Sequence, residues 1–536
     1  MLKEFLNHPL STIALLWLVS AFFDYNNFAY YWQLKEYRFD QFKDFLSTKQ
    51  GNTFKRGYRL LWRPIFALAT YIFLRDAHVP LPIVIIIILV GDLIYNLSVV
   101  YKKKIRRPKY TLKAMLILLF TFFLEICILY TVHGIHMIVY FMIIRFFTFS
   151  LIVQLFTLPT KVLKSFYVQK ATKKLEAYKN LTVIGITGSY GKSSVKTFLG
   201  HILSKNKETI VTPKNINTEI GVAKHILKTD FSNIAYYIVE MGAYRKGEIA
   251  LIAKMVKPTI GILTAIREQH LSIFGTIRNI QQAKFELLYA LPKKGLAIAN
   301  ADNPYIKELL STVPSAVETY GIDNESYTAS IVDSKEKKGT LTFTININHE
   351  LWHCQAPIAG EHNAQNIAAC VLAARHLGMK KADIIQAITS ISLPEGTLQS
   401  YQWGNAIIID DSYNANVDGF RSALHTVSTY PSSLRRIVVT RGMQELGEQS
   451  NEFHEQVGEE IAYSCDELVI ISPDNAVALQ KGVGNKYKTK ILNMYNFVEL
   501  ETYLYKLKEQ SAVILFENRL PNHLYKKILD EVKKIV

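Results

Sequence analysis

Residues 181–200, LTVIGITGSYGKSSVKTFLG, decide the fold of the larger part of the chain. The short apolar run at 183–186 is typical of a buried parallel strand, and from Ser194 onward apolar residues recur at helical spacing. A glycine-rich turn, residues 187–194, lies between strand and helix. Such a turn presents backbone N–H groups and a helix N-terminus to an anion, so it predicts a phosphate cradle.

Within this turn we expect Lys192 to reach the β- and γ-phosphates of a nucleotide and the Ser193 hydroxyl to bind Mg²⁺. The strict pattern G-x-x-x-x-G-K-[ST] is not met, because Ile186 stands five residues before Gly191. The flanking strand and helix still favour a phosphate loop over a chance Gly-Lys-Ser in a turn. The predicted nucleotide contacts of the loop are Gly188, Ser189, Gly191, Lys192, Ser193 and Ser194.

Length and charge narrow the class of protein. The chain has 536 residues, enough for three or four domains of roughly 150 residues each. Its formal net charge of +17 would suit nucleic acid or an anionic membrane surface. Because much of this charge flanks long apolar runs, it favours a membrane, and we expect no nucleic-acid partner. The four cysteines share no metal-ligand spacing and imply no disulfide framework.

Residues 1–158 are predicted to form an α-helical transmembrane domain. Crossing a hydrocarbon core takes about 20 helical residues. Three apolar runs are long enough: 81–101, 114–132 and 135–157.

Two further runs decide the number of spans. Residues 10–23 are apolar and continue through aromatic residues to about Trp32, which gives another span. Residues 59–74 are shorter and are interrupted by Arg63 and Pro64, so they form a fifth span or none.

Lys and Arg clusters set the orientation of these spans. One cluster lies at 102–109 and another at 161–174, and both are expected in the cytoplasm with two spans between them. The loop at 33–58 is also basic. Five spans place the N-terminus outside the cell, whereas four place it inside.

Four ionisable residues lie within the apolar runs: Asp24, Asp92, Glu125 and Arg145. Charge in lipid is costly and faces a partner or a cavity. Glu125 and Arg145 lie at similar depth on consecutive antiparallel spans, which favours an ion pair. The alternative is a pocket for a lipid diphosphate or sugar headgroup. Residues 159–180 then form a basic linker whose apolar spacing suits a helix on the membrane surface.

After residue 180, strands and helices alternate in the pattern of α/β domains with parallel sheets. We predict a central ATP-binding domain at 181–392 and a Rossmann-like domain at 393–536. In the central domain the strands are followed by Glu240, His270 and Asn300. Because ligands gather at strand carboxyl ends, these side chains should face one crevice with the phosphate loop. A carboxylate and an imidazole there suit Mg²⁺ held partly by substrate phosphates.

Taken in order, these motifs resemble the Mur ligase family, the ATP-dependent amide-bond ligases of cell-wall synthesis, and most closely its D-alanyl-D-alanine-adding branch. The resemblance runs from about Leu181 to the C-terminus. The matching segments are 185–194, 212–221, 240–242, 283–288, 300–302, 360–366 and 410–416.

The resemblance implies a role for individual residues. It places the acceptor substrate near Asn215, Asn217 and Thr218. It implies two Mg²⁺ ions held by Ser193, Glu240, His270 and a carbamylated Lys284. It implies contacts to ATP from Asn300, His362, Asn363, Asn366, Asp411, Tyr413 and Asn414. The residues expected to be catalytic are Lys192, His270 and Lys284.

The sequence departs from the family pattern at three positions of the ligase domains and in its N-terminal part. Tyr190 stands where Asn or Thr is usual, and Thr397 follows Pro394-Glu395-Gly396 where the family has an ATP-contacting Arg. Arg441-Gly442-Met443 stands where typical members have Gly-Asp-Met. The small N-terminal domain that holds the UDP of a soluble precursor is absent, and the predicted membrane domain stands in its place.

The expected protein is a multi-pass ligase of the bacterial inner membrane with its ligase domains in the cytoplasm. Transfer of a phosphoryl group from ATP would convert a carboxylate into an acyl phosphate, from which an amine displaces phosphate. Two Mg²⁺ ions and Lys192 would offset the charge on the γ-phosphate. The expected partners are ATP, an amino acid or dipeptide amine, a carboxylate-bearing precursor that is lipid-linked or UDP-linked, and membrane lipids. A poly-γ-glutamate-type synthase and a non-catalytic ATP-binding scaffold are the alternatives.

Overall fold

The computed structural model describes residues 9–102, 105–132, 137–214, 216–268, 271–337, 339–412, 417–443, 446, 449–484, 488–518 and 520–533. The chain divides into two compact units, Met1–Lys164 and Ser165–Val536.

The described part of the first unit is helical. Its helices are α1 (Pro9–Leu34), α2 (Phe39–Ser47), α3 (Lys49–Lys55), α4 (Arg63–Asp76), α5 (Leu81–Tyr101), α6 (Leu112–Val132) and α7 (Met137–Leu155). A π-helical turn, Tyr58–Trp62, precedes α4. Among the described residues, three helices are apolar and long enough to cross a membrane, judged by length and composition alone: Leu81–Tyr101, Leu112–Thr131 and Met137–Leu155.

A buried charge network lies inside the first unit. Its members are Asp24, Arg59, Arg63, Asp92, Glu125 and Arg145, each at most 9% exposed. Arg145 Nη2 lies 3.0 Å from Glu125 Oε1, which confirms the predicted ion pair, and Arg145 Nη1 lies 3.1 Å from Asp24 Oδ2. Arg63 Nη1 lies 2.5 Å from the same Asp24 oxygen. Three guanidinium groups therefore balance three carboxylates in a region where an unpaired charge is costly.

The predicted linker is largely helical. It forms α8 (Thr157–Glu176), which contains Ser165, the residue at which the second unit begins. Ala171 and Leu175 of α8 are buried in one hydrophobic cluster with Val183 and Tyr237. This part of the predicted linker therefore belongs to the core of the second unit.

The second unit begins with a mixed sheet. Its described strands are β1 (Thr182–Thr187), β2 (Thr209–Val211), β3 (Tyr236–Glu240), β4 (Ile260–Leu263), β5 (Leu296–Asn300), β6 (Ala316–Ile322), β7 (Ala329–Lys337), β8 (Thr340–Ile347) and β9 (Glu350–Ala356). They are ordered β2-β3-β1-β4-β5-β6-β7-β8-β9. The strands from β2 to β7 pair in parallel, and the hairpin strands β7, β8 and β9 pair antiparallel.

Helices cover both faces of this sheet, because alternate side chains of its strands point to opposite sides. Ile184 packs into one cluster with Phe198, whereas Val183 packs into the other. The helices are α9 (Lys192–Ser204), α10 (Glu219–Lys228), α11 (Glu248–Val256), α12 (Leu271–Phe274), α13 (Ile277–Tyr289), α14 (Pro304–Lys307), α15 (Asn363–His376) and α16 (Lys381–Ile388).

A second sheet follows in the C-terminal part. Its described strands are β10 (Gln399–Trp403), β11 (Ala406–Asp411), β12 (Arg435–Thr440), β13 (Glu467–Ile470), β14 (Lys490–Asn493) and β15 (Ala512–Glu517). Their order is β10-β11-β15-β12-β13-β14, and only β10 runs antiparallel among them. Its helices are α17 (Val417–Ser428), α18 (Ser450–Ser464), α19 (Ala476–Val483), α20 (Phe497–Lys508) and α21 (Asn522–Lys533). The prediction of a helical region followed by α/β domains is confirmed.

The charge network yields a prediction about stability. Replacing Arg145 with methionine removes a cation from two buried carboxylates, Asp24 and Glu125, so we expect the free energy of unfolding of the first unit to fall by about 3 kcal/mol or more. Thermal unfolding of the full chain in detergent measures this change. The control is Arg75→Met, because Arg75 is exposed in the last turn of α4. Equal melting of the two variants would contradict a stabilising role for the network.

Candidate functional site

The turn after β1 can only be built with glycine at two positions. Gly188 has φ +154° and Gly191 has φ +79°. A Cβ atom on Gly188 would lie 2.0 Å from Thr264 Oγ1, and one on Gly191 would lie 2.7 Å from Asn366 Oδ1. The loop therefore passes close to the end of β4 and to α15. Asn366, which sequence motifs alone connected with this loop, is in fact next to it.

The segment that follows β4 holds the loop in place. Ser189 N donates to Ala265 O at 2.7 Å. The Ser189 hydroxyl donates to Arg267 O at 3.1 Å and accepts from Arg267 N at 3.0 Å. Helix α9 then begins at Lys192, directly after Gly191.

Lys192 is held inside this loop. Its Nζ donates to Gly188 O at 2.6 Å and to Ser189 O at 3.2 Å. Burial lowers the pKa of Lys192, and the nearby carboxylate of Glu240 opposes that shift. The amine thus sits among the backbone groups that a phosphate would contact.

The carboxylate of Glu240 joins three elements of the central domain. The strand register pairs Ile186 with Glu240, which places this carboxylate beside the start of the loop. Glu240 Oε2 accepts from Ser193 Oγ at 3.0 Å and lies 2.8 Å from Lys196 Nζ. Glu240 Oε1 accepts from Asn217 Nδ2 at 3.2 Å.

The charge state of Glu240 follows from these neighbours. Burial alone would raise the pKa of Glu240, but Lys196 and Lys192 hold it below its ordinary value. The side chain is therefore an ionised carboxylate, although it is only 2% exposed. Ionised oxygen beside the Ser193 hydroxyl is a donor set that suits Mg²⁺.

Lys284 lies buried on α13 with an altered protonation equilibrium. Burial, together with the charge of Lys192, lowers the pKa of Lys284 to about 7 against the opposing carboxylates of Glu248, Glu286 and Glu240. A large share of this amine is therefore uncharged at neutral pH. An uncharged amine can add CO₂, which a lysine ammonium cannot.

The polar residues at the start of α15 are held in place by hydrogen bonds. Asn363 Nδ2 donates to Ala359 O at 2.8 Å, and Asn366 Nδ2 donates to Asn363 Oδ1 at 2.9 Å. Asn300 at the end of β5 donates to Gln365 Oε1 of the same helix at 3.3 Å. Of the predicted nucleotide contacts, these three surround one helix start beside the phosphate loop.

Arg267 and His362 of the central domain make polar contacts with α17 of the C-terminal domain within the second unit. Arg267 Nε lies 2.9 Å from Asp418 Oδ2 of α17. His362 Nδ1 lies 2.7 Å from Ser422 Oγ on the same helix. Burial lowers the pKa of His362 to about 4, so the ring is neutral at pH 7. Arg267 thus connects the phosphate loop, through Ser189, to the C-terminal domain.

Asp411 is placed differently from the other predicted contacts. Its Oδ1 accepts from Leu398 N at 3.2 Å, and its strand register pairs it with Glu517. Burial raises the pKa of Asp411 to about 7. Its hydrogen bonds among the described residues stay within the C-terminal domain, and none joins it to the phosphate loop.

The remaining predicted residues fall into two groups. Thr218 is the N-cap of α10, and Ser194 is buried in the first turn of α9. Asn215, His270, Tyr413 and Asn414 lie outside the described residues. Among the residues that are described, no three His, Cys, Asp or Glu side chains are grouped to hold a metal ion.

The sequence motifs missed several residues of this site. Lys196 is the clearest case, because its ion pair with Glu240 is part of the site's charge balance. A signal was present: Lys192 and Lys196 are four residues apart and share one face of a helix. Thr264, Arg267 and Asp418 gave no comparable signal.

Family models match both α/β domains. The Mur ligase middle domain matches residues 186–374, and the Mur ligase glutamate ligase domain matches residues 398–516.

Named ligases of two organisms match more than half of the chain. The UDP-N-acetylmuramoyl-tripeptide–D-alanyl-D-alanine ligase of Synechocystis is 32% identical over 306 residues, which are 56% of this chain and 64% of that protein. The ligase of the same name from Escherichia coli is 30% identical over 58% of this chain and 68% of its own length. The chain thus spans less than two thirds of the Synechocystis ligase.

Solved structures agree with these matches. MurF from Acinetobacter baumannii aligns with a TM-score of 0.62 and 26% identity, covering 69% of this chain and 80% of that one. MurF ligase from Thermotoga maritima in complex with ADP aligns with a TM-score of 0.61 and 25% identity, covering 70% of this chain and 85% of that one.

The loop geometry predicts the effect of one methyl group. Gly188→Ala would place Cβ against Thr264 and distort the loop, so we expect affinity for ATP·Mg²⁺ to fall at least about tenfold, or about 1.4 kcal/mol. Isothermal titration with ATP·Mg²⁺ measures this loss. The matched control is Gly339→Ala, since Gly339 has φ +73° and no atom within 4 Å of an added Cβ. Unchanged affinity in Gly188→Ala would contradict the assignment of the loop.

Proposed function

The chain belongs to the Mur ligase family, and we propose that it is an ATP-dependent ligase that joins an amine to a carboxylate of a peptidoglycan precursor. The observation that carries the proposal is the ionised carboxylate of Glu240, bonded to Ser193 of the phosphate loop and to Asn217. This geometry joins a predicted nucleotide contact to a predicted substrate contact within one hydrogen-bonded group.

The proposed reaction has two steps. An oxygen of the substrate carboxylate attacks the γ-phosphorus of ATP, the bond to the β-γ bridging oxygen breaks, and ADP leaves. The amine then attacks the carbonyl carbon of the acyl phosphate, phosphate leaves with the electron pair of the broken C–O bond, and the nitrogen loses a proton. The names of the relatives suggest D-alanyl-D-alanine as the amine.

Different residues of this chain are proposed to bind the phosphates, Mg²⁺ and the rest of ATP in the first step. Lys192 would exchange its bonds to the loop carbonyls for bonds to phosphate oxygens, and its charge would stabilise the transferring group. Glu240, Ser193 and a carbamylated Lys284 would hold Mg²⁺, and His270 is a further metal ligand proposed from sequence alone. Tyr413 and Asn414 are contacts to ATP proposed from sequence alone. Bound Mg²⁺ supplies further positive charge at the phosphates. Asn300, Asn363, Asn366, His362 and Asp411 are the proposed contacts to the rest of ATP.

We further propose that the first unit anchors the ligase in a membrane and that the acyl substrate is lipid-linked. Three helices of suitable length and composition support the anchor. The family matches begin at residue 186, so the chain before it is not matched by the family models. A membrane-embedded unit in that position favours a precursor that is itself in the membrane over a UDP-linked one.

An activity assay tests the ligase and its substrate together. We expect the full chain in lipid nanodiscs, supplied with ATP, Mg²⁺ and D-alanyl-D-alanine, to extend a lipid-linked muramoyl-tripeptide at least about tenfold more efficiently than the UDP-linked one. Product is measured by mass spectrometry. Preference for the UDP-linked substrate would refute lipid linkage but not the ligase activity.

The same assay tests Lys192. Because Lys192→Ala removes the loop cation, we expect kcat to fall by about 100-fold or more. Lys205→Ala is the control, since Lys205 is exposed just after α9. Near-normal turnover of Lys192→Ala would contradict the assignment of the active site.

The pKa of Lys284 predicts a pH dependence for carbamylation. The folded pKa of about 7 lies below the ordinary value of 10.5, so the fraction of neutral amine rises as pH increases through 7. Addition of CO₂ to that amine releases one proton and forms the carbamate. We expect a ¹³C carbamate resonance from [¹³C]bicarbonate to grow between about pH 6 and pH 8.

The control variants for this resonance are Lys284→Ala, which should lose it, and Lys254→Ala, which should keep it because Lys254 is exposed on α11. A resonance that persists in Lys284→Ala would show that another amine carries the carbamate.

A further inference from the structure

A cavity in the first unit is lined by basic and amide side chains. It is a shallow cleft whose accessible volume is about 20 Å³, and its polar lining is Asn26, Asn27, Arg59, Arg106 and Arg107. This volume is enough for about one water-sized group. An oxygen of a phosphate group could enter it, with the rest of that group lying against the exposed guanidinium groups of Arg106 and Arg107.

The cavity is separate from the residues that sequence reasoning connected with a headgroup. Arg145 is fully engaged: its guanidinium bonds Glu125, Asp24 and the Ser20 hydroxyl. Arg145 therefore belongs to the buried charge network. The alternative of a headgroup pocket at Glu125 and Arg145 is not supported by these contacts.

Arg59 lies where this cavity meets the charge network. Its Nε lies 3.4 Å from Asp24 Oδ1, and its Nη2 donates to Asn96 Oδ1 at 2.6 Å. The three carboxylates of the network already balance Arg59, Arg63 and Arg145. Arg59 thus lines the cavity with N–H donors held in place by Asp24 and Asn96, and the carboxylates of the charge network neutralise its charge.

Arg106 and Arg107 are not balanced in the same way. Both are exposed, and no described carboxylate lies within 4.0 Å of either. The Arg106 guanidinium lies 5.0 Å from the ring centroid of Tyr31, which orients it over α1. The cavity therefore carries about two positive charges that no described carboxylate neutralises, and guanidinium groups of this kind bind anions.

The remaining lining is apolar and includes the end of one proposed span, α5, and the middle of α1. Phe22 and Phe23 come from α1, Val99 comes from the last turn of α5, and Ile105 follows that helix. Phe22 is 45% exposed. The end of a membrane-crossing helix is the depth at which lipid phosphates lie. An apolar chain could lie along Phe22 while its charged end entered the cavity.

We propose that this cavity binds the phosphate or diphosphate end of a membrane lipid. Guanidinium groups match phosphate oxygens in bidentate geometry, and amide groups such as Asn27 add hydrogen bonds. Basic pockets between membrane helices on the cytoplasmic side hold lipid phosphates in this way. The inference rests on the proposed membrane location, and it assigns to the first unit the role of holding the carrier of a lipid-linked substrate.

Lipid binding without ATP tests the proposal on the full chain. In detergent, we expect native mass spectrometry and thermal stabilisation to show specific binding of phosphatidic acid, a lipid phosphate monoester, over phosphatidylcholine. The double variant Arg106→Ala/Arg107→Ala should bind phosphatidic acid at least about tenfold more weakly. Both residues are exposed, so this variant should fold.

The matched control is Lys102→Ala, because Lys102 is exposed next to the cavity but does not line it. It should change affinity less than about twofold. Equal loss in the two variants would reduce the effect to general surface charge and overturn the site.

Competition by soluble anions tests whether the cavity binds a free phosphate or the phosphate of a lipid. Inorganic phosphate and pyrophosphate should compete with phosphatidic acid only weakly, because they lack the chain that contacts Phe22. Tight binding of either would overturn the lipid assignment. If the full chain does not bind phosphatidic acid but still acts as a ligase in nanodiscs, the proposed lipid site fails and the proposed function stands. If the chain does not enter nanodiscs at all, the proposed anchoring fails.

Discussion

The buried carboxylate of Glu240 is the constraint on which the larger unit depends. It is ionised although nearly inaccessible, because Lys196 lies 2.8 Å away and the charge of Lys192 is close by. An isolated carboxylate at this depth would take up a proton. Its hydrogen bonds to Ser193 and Asn217 then fix the start of α9 relative to the segment before α10. A single charge therefore sets the geometry of three polypeptide segments.

The parallel sheet makes this arrangement possible. The register of β1 against β3 and β4 brings the carboxyl ends of three strands to one edge, where Glu240 and Thr264 meet the turn at Gly188. The C-terminal domain adds a second contact to the same turn, because Arg267 bonds both Ser189 and Asp418. A change in the angle between the two domains would therefore act on the turn through one arginine.

The local motif was predictable, while its charge balance was not. The strand and turn at 183–194 depend on neighbours in sequence, so pattern and glycine placement were sufficient. The pair of Lys196 with Glu240 depends on strand register over 44 positions of sequence, which no motif records. In the first unit, sequence reasoning found three acids and only Arg145 in the apolar runs. It took Arg63 as an interruption of a span, whereas Arg63 and Arg59 supply the two missing cations. Counting charge along the runs would have pointed to them.

The coupling between Lys192 and Lys284 sets an order of events for the proposed chemistry. The positive charge of Lys192 is one reason why the pKa of Lys284 falls to about 7. Protonation of both amines at once is therefore disfavoured. A polyphosphate bound at Lys192 would cancel that repulsion and raise the pKa of Lys284, which favours the ammonium form. The proposed carbamylation would therefore be easiest before the nucleotide arrives. Once formed, the carbamate replaces a repelled cation with an anion, and its field raises the pKa of Lys192 and keeps that amine charged for phosphate. If Lys284 is carbamylated as proposed, the two lysines would be opposite in charge at the stage when the reaction needs one ligand for metal and one for phosphate.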